Sequence, residues 1–545
     1  MAAGGAKRYD AIVIGGGHNG VVAGAYLARS GARTLVVEAR HKVGGAAATD
    51  APWPEAPEFK VTTYSYVMSL MPAEIVADLD LARHGYKVHP MGPYYVAFPD
   101  GGALQVGSDD TASDIAAIKR FSPRDAAAYP RWREWLNGLA DVLAPLLLTV
   151  PPKLGSRHPA DVLDQLKLLW RLRGLDSARV GEVTRLLTMS IGDLLDDWFE
   201  SDQLKAALAV DGVIGTWAGP RAPGTAYVLA HHEIGDVGVG IGSWGFPEGG
   251  MGAVSDAIHA AATEAGAQVR LRAPVERVLT ADGRVRGVVL AGGEELYADT
   301  VVTTIHPQLT FLRHLDADEL PDEFVTAMRR WKTRSGTVKI NLALSELPSF
   351  SADPGTQAGV HHSGAIELSH SLDHLEDAFQ DARAGRAARR PFSDGVIPTV
   401  FDRTLCPEGF HIMSLFTQWV PETWADDPDE AELEAYADRV IDGYAELAPN
   451  FRDAIVHRQV IGPADMQDDL GMIGGNIFHG ELSANQLFHM RPVAGYADYR
   501  SPIAGLYQAS SATHAGGGVC GIPAMLAVRQ IVADRRRARR RRGRG

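Results

Sequence analysis

The sequence is poor in cysteine and lacks long uninterrupted apolar runs. Its 545 residues include two cysteines, Cys406 and Cys520, which form no C-x-x-C pair. A dithiol redox centre of that type is therefore not expected. No stretch of 18 uncharged apolar residues occurs, so no transmembrane helix is predicted. The first strand pattern begins near Ala11, which leaves no room for a targeting peptide of usual length. We therefore expect a cytoplasmic protein in a reducing compartment.

Positive charge is also scarce over most of the chain. The sequence has 53 Lys and Arg against 67 Asp and Glu, a net charge of −14. Specific nucleic-acid binding is therefore not expected, because binding to phosphates needs clustered cations. The exception is the end of the chain, where residues 535–545 hold eight arginines and no acid. This block predicts a solvated, disordered Arg-rich tail. Contact of the tail with acidic lipids, RNA or the protein's own acidic body stays open.

A nucleotide-binding pattern occurs near the start of the sequence. The apolar run at residues 11–14 predicts a buried parallel strand, and Gly15, Gly17 and Gly20 follow it in a G-x-G-x-x-G pattern. These glycines allow a tight turn, close approach of a pyrophosphate and helix–strand packing, respectively. Glu38 ends the next strand pattern, where a carboxylate accepts hydrogen bonds from ribose hydroxyls and repels a 2′-phosphate. A dinucleotide site that disfavours NADP is predicted here.

The same glycine pattern recurs twice. Residues 240–245 match it, but a proline follows and no strand–helix frame surrounds them, so a glycine-rich loop is predicted. Residues 516–521 also match it and precede a predicted helix that begins near Pro523. A glycine-rich helix start stabilises negative charge, such as that on the N1–O2 edge of a reduced flavin. The second recurrence is therefore interpreted as part of a cofactor site.

Residues 9–45, YDAIVIGGGHNGVVAGAYLARSGARTLVVEARHKVGG, resemble the FAD signature of the superfamily that contains amine oxidases and carotenoid desaturases. The resemblance implies FAD as the cofactor, with the paired glycines Gly44 and Gly45 near its diphosphate. From this segment, the resemblance implies contacts from Gly15, Gly17, His18, Asn19, Gly20, Glu38, Arg40, Gly44 and Gly45.

Two later segments extend the resemblance. Residues 275–290 form a predicted hairpin around Asp282 and Gly283. In the superfamily, the residue matching Val278 meets the adenine through its backbone. The segment LYQASSATHAGGGVCGIPA near the C-terminus is similar to the one that cradles the isoalloxazine. That similarity implies flavin contacts from Ser511, Gly518, Val519 and Gly521.

Longer stretches resemble the phytoene-desaturase-like FAD-dependent oxidoreductases, among them DGVIGTWAGPRAPGTAYVLAHH and GGNIFHGELSANQLFHMRP. The resemblance implies an α/β fold with a Rossmann-like FAD-binding domain of amine-oxidase and carotenoid-desaturase type, interleaved with an α+β substrate domain. The predicted FAD-binding domain comprises residues 1–85, 245–306 and 464–534. The predicted substrate domain comprises residues 86–244 and 307–463, with strands expected at 338–344 and 411–419.

The function implied by the resemblance is FAD-dependent oxidoreduction of C–C bonds, by desaturation, saturation or isomerisation of an apolar, isoprenoid-like small molecule. Hydride transfer would occur at flavin N5. Two alternatives stay open, an amine or amino-acid oxidase and a flavin-bearing regulatory or scaffold protein. A polar pocket with a carboxylate-binding arginine would favour the oxidase.

Catalytic candidates come from the C-terminal segments. His514 adjoins the predicted flavin cradle and is the leading one, and Arg491 follows it. Weaker candidates, each equally consistent with a structural histidine, are His479, His489, His306, His231 and His232. Their spacing matches no metal-ligand pattern, so no metal is predicted. The leucine-rich residues 139–154 form either a core helix or an apolar lip for lipid or substrate, which leaves peripheral membrane contact open. The oligomeric state is not indicated.

Overall fold

The computed structural model describes residues 8–108 and 110–542. Its strands are β1 Arg8–Tyr9, β2 Ala11–Ile14, β3 Thr34–Val37, β4 Thr49–Asp50, β5 Val61–Thr62, β6 Val88–Pro90, β7 Tyr94–Ala97, β8 Ala103–Val106, β9 Gly245–Pro247, β10 Gln268–Arg270, β11 Val275–Ala281, β12 Arg284–Leu290, β13 Glu295–Ala298, β14 Val301–Thr303, β15 Thr337–Leu344, β16 Ile366–Leu368, β17 Phe392–Val396, β18 His411–Gln418, β19 Ile455–Ile461 and β20 Leu506–Gln508.

Its helices are α1 His18–Arg29, α2 Ala73–Asp78, α3 Thr111–Lys119, α4 Pro123–Leu147, α5 Pro159–Leu172, α6 Ser177–Thr188, α7 Ile191–Trp198, α8 Asp202–Ala209, α9 Thr225–His232, α10 Met251–Glu264, α11 Pro307–Leu312, α12 Asp322–Arg329, α13 Leu372–Arg383, α14 Glu430–Leu447, α15 Phe451–Ala454, α16 Pro463–Leu470 and α17 Ile522–Arg542.

A parallel sheet of five strands carries the first glycine motif. Its order is β10-β3-β2-β14-β20. All four residues of β2 and of β3 are buried, as expected for strands covered on both faces. Helix α1 packs against α10 and α17, and its alanines and glycines bring the three backbones close together. The predicted Rossmann-like βαβ unit is confirmed.

A second sheet, of order β1-β13-β12-β11, carries the predicted hairpin. Strands β11 and β12 pair antiparallel around Asp282 and Gly283, whose φ angles are +53° and +67°. Positive φ at both central residues is the geometry that a two-residue Asp-Gly turn adopts. The register of β11 shifts between Val275 and Arg277, so the strand carries a bulge near its start.

The largest sheet has seven strands in the order β19-β15-β18-β17-β16-β7-β8. The predicted strands at 338–344 and 411–419 are its neighbours β15 and β18, paired antiparallel over eight residues. The apolar residues of β15 alternate with others, a pattern typical of a half-buried strand, but all eight of its residues are buried. The residues between the apolar ones include Lys339 and Asn341, which lie in a buried polar cluster instead of in solvent.

The three larger sheets divide along the predicted segments. Every strand of the five- and four-stranded sheets lies within residues 1–85, 245–306 or 464–534. Every strand of the seven-stranded sheet lies within residues 86–244 or 307–463. The short pair of β6 with β9 joins one segment of each group. The exact domain boundaries stay a prediction.

The prediction of a disordered tail is wrong for residues 535–542. Helix α17 begins in the buried turn at Ile522 and continues to Arg542. The guanidinium of Arg535 donates to the carbonyl of Asp10 at 2.7 Å and to Oγ1 of Thr300 at 3.1 Å. Arginine has a high helix propensity, and extending a formed helix needs no new nucleus. Residues 543–545 lie outside the described part of the chain.

The leucine-rich stretch at 139–154 divides into two parts. Leu139, Leu143 and Leu147 are buried at helical spacing on α4, which confirms the core-helix interpretation for that part. Leu154, beyond the helix, is exposed. Within residues 8–108 and 110–542, no helix is long and apolar enough to cross a membrane.

Candidate active site

A cavity of ≈ 420 Å³ begins at the carboxyl end of the parallel sheet and reaches the face of the seven-stranded sheet. Gly15, Gly17 and Glu38 line one end, and Lys339 and Asp394 line the other. Crevices at the carboxyl ends of parallel strands are where nucleotide cofactors bind in open α/β sheets. We call these two regions the nucleotide end and the substrate end.

Two glycines shape the nucleotide end in different ways. Gly15 has φ +94°, and a Cβ atom there would lie 2.8 Å from Oγ1 of Thr304, so both backbone and packing require glycine. Gly17 has φ −62°, and a Cβ atom built on it would have Cα of Gly45 as its nearest neighbour, at 3.8 Å. No atom of the described residues crowds Gly17, and it lines the cavity. A Cβ atom here would therefore take up space in the cavity itself.

The first turn of α1 leaves polar atoms without partners. Nε2 of His18 and Oδ1 of Asn19 are buried and accept or donate no hydrogen bond within the described residues. Burial lowers the pKa of His18 to about 4, against a hydrogen bond with the backbone of Gly518, so the ring is neutral at physiological pH. Both unpaired atoms are acceptors in this state, so the groups that fit the diphosphate of FAD are the open backbone at Gly17 and the free N–H groups of the helix start.

Glu38 organises the loop around this turn. Its Oε2 accepts from the N–H of Gly16 at 2.5 Å, and its Oε1 accepts from that of Arg40 at 2.8 Å. A carboxylate has about four acceptor positions, so both oxygens retain capacity for a hydroxyl donor such as a ribose. Arg40 lines the cavity, and its Nη1 donates to the carbonyl of Gly45 at 3.4 Å.

Most residues predicted to bind the cofactor lie at the cavity wall. The lining includes Gly15, Gly17, His18, Asn19, Glu38, Arg40, Gly45, Ser511, Gly518 and Val519. Gly20, Gly44, Val278 and Gly521 are not part of the lining. Gly20 has the packing role expected for it, because a Cβ atom there would lie 1.9 Å from the carbonyl oxygen of Gly15. The N–H of Gly44 donates to the carbonyl of Gly16 at 2.9 Å, which holds the lining loop from behind.

Val278 is not among the described residues that line the cavity, and its adenine contact stays a prediction. Its side chain is buried within β11, and its N–H donates to the carbonyl of His314 at 2.8 Å. The lining from this segment comes from Ala273, Pro274 and Val275. These three residues lie at the start of β11 and in the segment before it, ahead of the one-residue register shift between Val275 and Arg277.

The C-terminal segment closes the cavity between β20 and α17. Ser511, Gly518 and Val519 line it, and Gly518 has φ +101°. Arg491 holds this segment from behind. Its guanidinium donates to the carbonyls of Ser511 at 2.9 Å and Phe478 at 2.8 Å, among others. Burial lowers the pKa of Arg491 to about 10, so it stays charged while it satisfies these carbonyls. Arg491 does not line the cavity, which makes it a positioning residue.

His514 also lies behind the wall. It is buried, its Nε2 is 3.0 Å from the carbonyl oxygen of Leu146, and its ring packs edge-on against Phe488. Burial lowers its pKa to about 4, despite hydrogen bonds that raise it. His514 is not among the described residues that line the cavity. The geometry gives it a structural contact between α4 and the closing segment, and it does not place the ring where a proton would be transferred.

Among the weaker candidates, His232 and His479 line the cavity. Burial lowers the pKa of His232 to about 4 and that of His479 to about 3, so both rings are neutral at physiological pH. Nδ1 of His232 is 2.9 Å from the carbonyl of Val228. Nδ1 of His479 is buried without a partner in the described part of the chain.

The substrate end contains a row of buried ionisable residues that the sequence analysis missed. Lys339 on β15 and Asp394 on β17 both lie directly opposite Phe416 of the strand between them. Glu367 on β16 lies opposite Asp394. Side chains directly opposite one another project to the same face of a sheet, so the row crosses four strands on one face.

Hydrogen bonds fix several members of this row. Oδ2 of Asp394 accepts from the Tyr66 hydroxyl at 2.6 Å, and Tyr66 stacks on Phe416. Nζ of Lys339 donates to Oδ1 of Asn341 at 2.8 Å and to the Ser414 hydroxyl. Oδ1 of Asp394 has no partner within the described residues, although it is buried.

Burial shifts the pKa values of Asp394 and Lys339 in the direction that favours their neutral forms. It raises the pKa of Asp394 to about 7, opposed by the Tyr66 hydrogen bond. It lowers the pKa of Lys339 to about 7, opposed by the charge of Asp394. A second acid, Asp211, accepts from the Tyr94 hydroxyl at 3.0 Å, and burial raises its pKa as well. Side chains with pKa values near the working pH are the ones suited to proton transfer.

Apolar side chains form most of the remaining wall. Near the row, the lining includes Met68, Leu70, Ile214, Phe416 and Phe478. The hydroxyl of Tyr66 donates to Asp394 and that of Tyr94 to Asp211, so each pair satisfies one hydroxyl and one carboxylate oxygen. The substrate end is therefore a mainly apolar space, with the buried carboxyls of Asp394 and Asp211 and the amine of Lys339 in its wall.

The two cysteines take no part in this site. Cys406 and Cys520 are buried, unpaired and members of different hydrophobic clusters. Burial raises the pKa of the Cys406 thiol to about 11 and that of the Cys520 thiol to about 12, so neither is a thiolate at physiological pH. Thiol–disulfide exchange requires a thiolate, so these residues are not suited to it.

Comparison with known proteins agrees with this geometry. Residues 196–387 match the family of flavin containing amine oxidoreductases, and residues 13–73 match the NAD(P)-binding Rossmann-like domain. The chain is 40% identical to pyridine nucleotide-disulfide oxidoreductase domain-containing protein 2 of Rattus norvegicus, over 97% of this chain and 94% of the relative. It is 25% identical to a phytoene desaturase (lycopene-forming) of Pseudescherichia vulneris, over 94% of this chain and 96% of that protein.

Solved structures share the fold. A triple mutant of putrescine oxidase superposes with a TM-score of 0.59 at 16% identity, covering 97% of this chain and 98% of that one. The protein is accordingly an FAD-dependent oxidoreductase with the fold of the amine oxidase and carotenoid desaturase superfamily. Within it, this chain belongs to the family of pyridine nucleotide-disulfide oxidoreductase domain-containing protein 2.

Proposed function

We propose that this protein acts on a C–C bond of an apolar small molecule, by desaturation, saturation or isomerisation. The observation that carries the proposal is the substrate end of the cavity. Its wall is mainly apolar, and the buried carboxyl of Asp394 presents an oxygen without a partner in the described residues. The similarity to a phytoene desaturase over nearly the whole chain supports the same reaction class.

Removing or adding hydrogen across a C–C bond requires a hydride and a proton to move on neighbouring carbons. Bound FAD supplies the hydride acceptor or donor. The protein must supply the proton acceptor, and we assign that role to Oδ1 of Asp394. Tyr66 fixes the carboxyl through Oδ2 at 2.6 Å, which leaves Oδ1 free for exchange. A pKa of about 7 lets the same group take up or release a proton near neutral pH.

The lining residues disfavour an amino-acid oxidase. Such an enzyme needs a cation to bind the substrate carboxylate, and arginine is the usual choice. Among the described residues that line the cavity, Arg40 is the only arginine, and it lies at the nucleotide end. Lys339 is held by Asn341 and Ser414, and its pKa is lowered to about 7 by burial, so it is a weak anion site.

An amine oxidase is the second candidate, because buried carboxylates attract an ammonium group. Asp394 and Asp211 both line the cavity, where their carboxylates can pair with a cation. The fold shared with putrescine oxidase is compatible with this activity but does not select it.

Anaerobic reduction of the bound flavin tests the proposal. The FAD-loaded protein is mixed with apolar isoprenoids in one series and with primary amines in another, and the loss of flavin absorbance is followed. Bleaching by isoprenoids, followed by reoxidation with oxygen or a quinone, is the expected result. Bleaching by amines alone overturns it in favour of the oxidase. A flavin that no donor of either series reduces, and that no unsaturated isoprenoid reoxidises after chemical reduction, favours a regulatory or scaffold role.

A further inference from the structure

Helix α5 presents an apolar face that no other element in the described chain covers. The exposed residues recur at helical spacing and form one stripe, Val162, Leu163, Leu166, Leu169 and Trp170. Leu166 is 56% exposed, and Leu169 and Trp170 are each 64% exposed. A contiguous apolar patch of this kind on a helix marks an interaction surface.

The rest of the helix is tied to the protein. Nε2 of Gln165 donates to the carbonyls of Lys153 at 2.8 Å and Ser156 at 3.0 Å. Arg171 donates to the hydroxyl of Thr149. These contacts anchor α5 through its polar side to the connector that follows α4. The apolar stripe is therefore held outward by hydrogen bonds and is not the result of a detached helix.

The charge around this stripe is opposite to that of the whole chain. Residues 153–173 contain five Lys and Arg against two Asp, whereas the full sequence has a net charge of −14. At 100° per residue, Lys167 lies on the helix surface next to the stripe. Arg173 stacks at 3.7 Å on the ring of Trp170. An apolar stripe with tryptophan and flanking cations is the pattern of a helix that lies in a membrane interface.

We propose that α5 docks this protein onto a membrane surface that contains anionic lipids, with its stripe in the interface and its flanking cations at the headgroups. Anionic headgroups attract such a segment. A second copy of the same helix would bring like charges together, which disfavours self-association through this face. The proposal rests on α5 alone and does not depend on the proposed substrate.

The connector after α4 links this surface to the cofactor site. Leu147 belongs to the same hydrophobic cluster as Val519, which lines the cavity. The carbonyl of Leu146 is bonded to His514 in the closing segment. Lys153, which is bonded to α5, is 3.4 Å from the carboxylate of Asp498. Docking through α5 would therefore hold the closing segment of the cavity near the lipid.

The test uses the full-length, FAD-loaded protein and vesicles of phosphatidylcholine, with or without phosphatidylglycerol. Co-sedimentation is expected with the anionic vesicles at least tenfold more strongly than with the neutral ones, and added salt should weaken it. The double variant Leu166→Glu with Leu169→Glu should lose at least ten-fold in binding. Both side chains are exposed, so its flavin content and melting temperature should equal those of the wild type.

Two controls separate α5 from other surfaces. Val360→Glu introduces a single glutamate at another exposed apolar residue and should leave binding unchanged. Removal of residues 536–545 deletes most of the arginine cluster and should leave most of the binding in place. The proposal is overturned if the protein ignores anionic vesicles, if the double variant binds as the wild type does, or if the truncation alone abolishes binding. It is also overturned if the stripe proves to mediate dimerisation, seen as a concentration-dependent dimer that the double variant abolishes.

Discussion

Asp394 and Glu367 lie directly opposite each other on the antiparallel strands β17 and β16, and both side chains are buried. Neither oxygen of Glu367 has a hydrogen-bond partner among the described residues, and Oδ1 of Asp394 has none either. Burial raises the pKa of Glu367 well above its usual value, and the charge of Asp394 raises it further. Two neighbouring buried carboxylates resist double ionisation, so the pair retains a proton at physiological pH.

The variant Asp394→Asn should keep its FAD and lose turnover. The amide has the same shape and cannot accept a proton, so we expect the rate of flavin reduction to fall about 10²-fold or more, the usual contribution of a general base. In the oxidative direction the wild-type rate should rise with pH through about 7, where Asp394 loses its proton. That rise should vanish in the variant. Stopped-flow reduction between pH 5 and pH 9 measures both effects, and an unchanged profile would contradict the assigned role.

Lys339→Met should move the rise of the oxidative rate to higher pH. The positive charge of Lys339 lowers the pKa of Asp394, so its removal leaves the carboxyl protonated to higher pH. The oxidative rate at pH 7 should fall and recover at higher pH. Asn341 and Ser414 also bond to each other at 3.0 Å, which preserves the local structure. The exposed Lys60→Met serves as the matched control and should leave the profile in place. A downward shift in Lys339→Met would count against this coupling.

Local patterns were sufficient to predict the nucleotide end. The roles of Gly15, Gly17 and Gly20 depend on one turn between a strand and a helix, and each of them lies where the motif requires. The cavity lining near β11 was harder to predict, because it comes from residues 273–275, which precede a one-residue bulge in that strand. No feature of the sequence alone indicates that bulge.

The substrate end was missed for a different reason. Lys339, Glu367 and Asp394 are separated by up to 55 residues in sequence, and the register of four strands brings them together. A single lysine in an apolar strand predicts a solvent-facing side chain, unless it is known that other elements cover both faces of the sheet. Of the three strands that carry these residues, only the one at 338–344 was predicted, so no pattern in the sequence indicated that the three residues share a row.

Substitutions at His514 and Arg491 should separate structural contacts from chemistry. His514→Gln keeps a donor for the carbonyl of Leu146, so we expect near wild-type flavin reduction. Arg491→Met leaves the buried carbonyls of Ser511 and Phe478 without their donor, at a cost of about 3 kcal/mol in unfolding free energy. Because Ser511 lines the cavity, flavin retention should fall too. Urea unfolding and flavin absorbance test both, and loss of turnover in a stable, yellow His514→Gln protein would restore His514 as a catalytic candidate.

Gly17→Ala should separate cofactor binding from folding. The φ of −62° suits alanine, and the nearest atom to a new Cβ is 3.8 Å away, so the apoprotein should unfold at the same urea concentration as wild-type apoprotein. The Cβ would enter the cavity where the diphosphate is expected, so FAD affinity should fall at least tenfold in fluorescence titration. The matched control Gly181→Ala lies on α6 with no atom within 4 Å, and should gain about 0.5–1 kcal/mol in stability with unchanged FAD affinity. Full FAD affinity in Gly17→Ala would show that the diphosphate lies elsewhere.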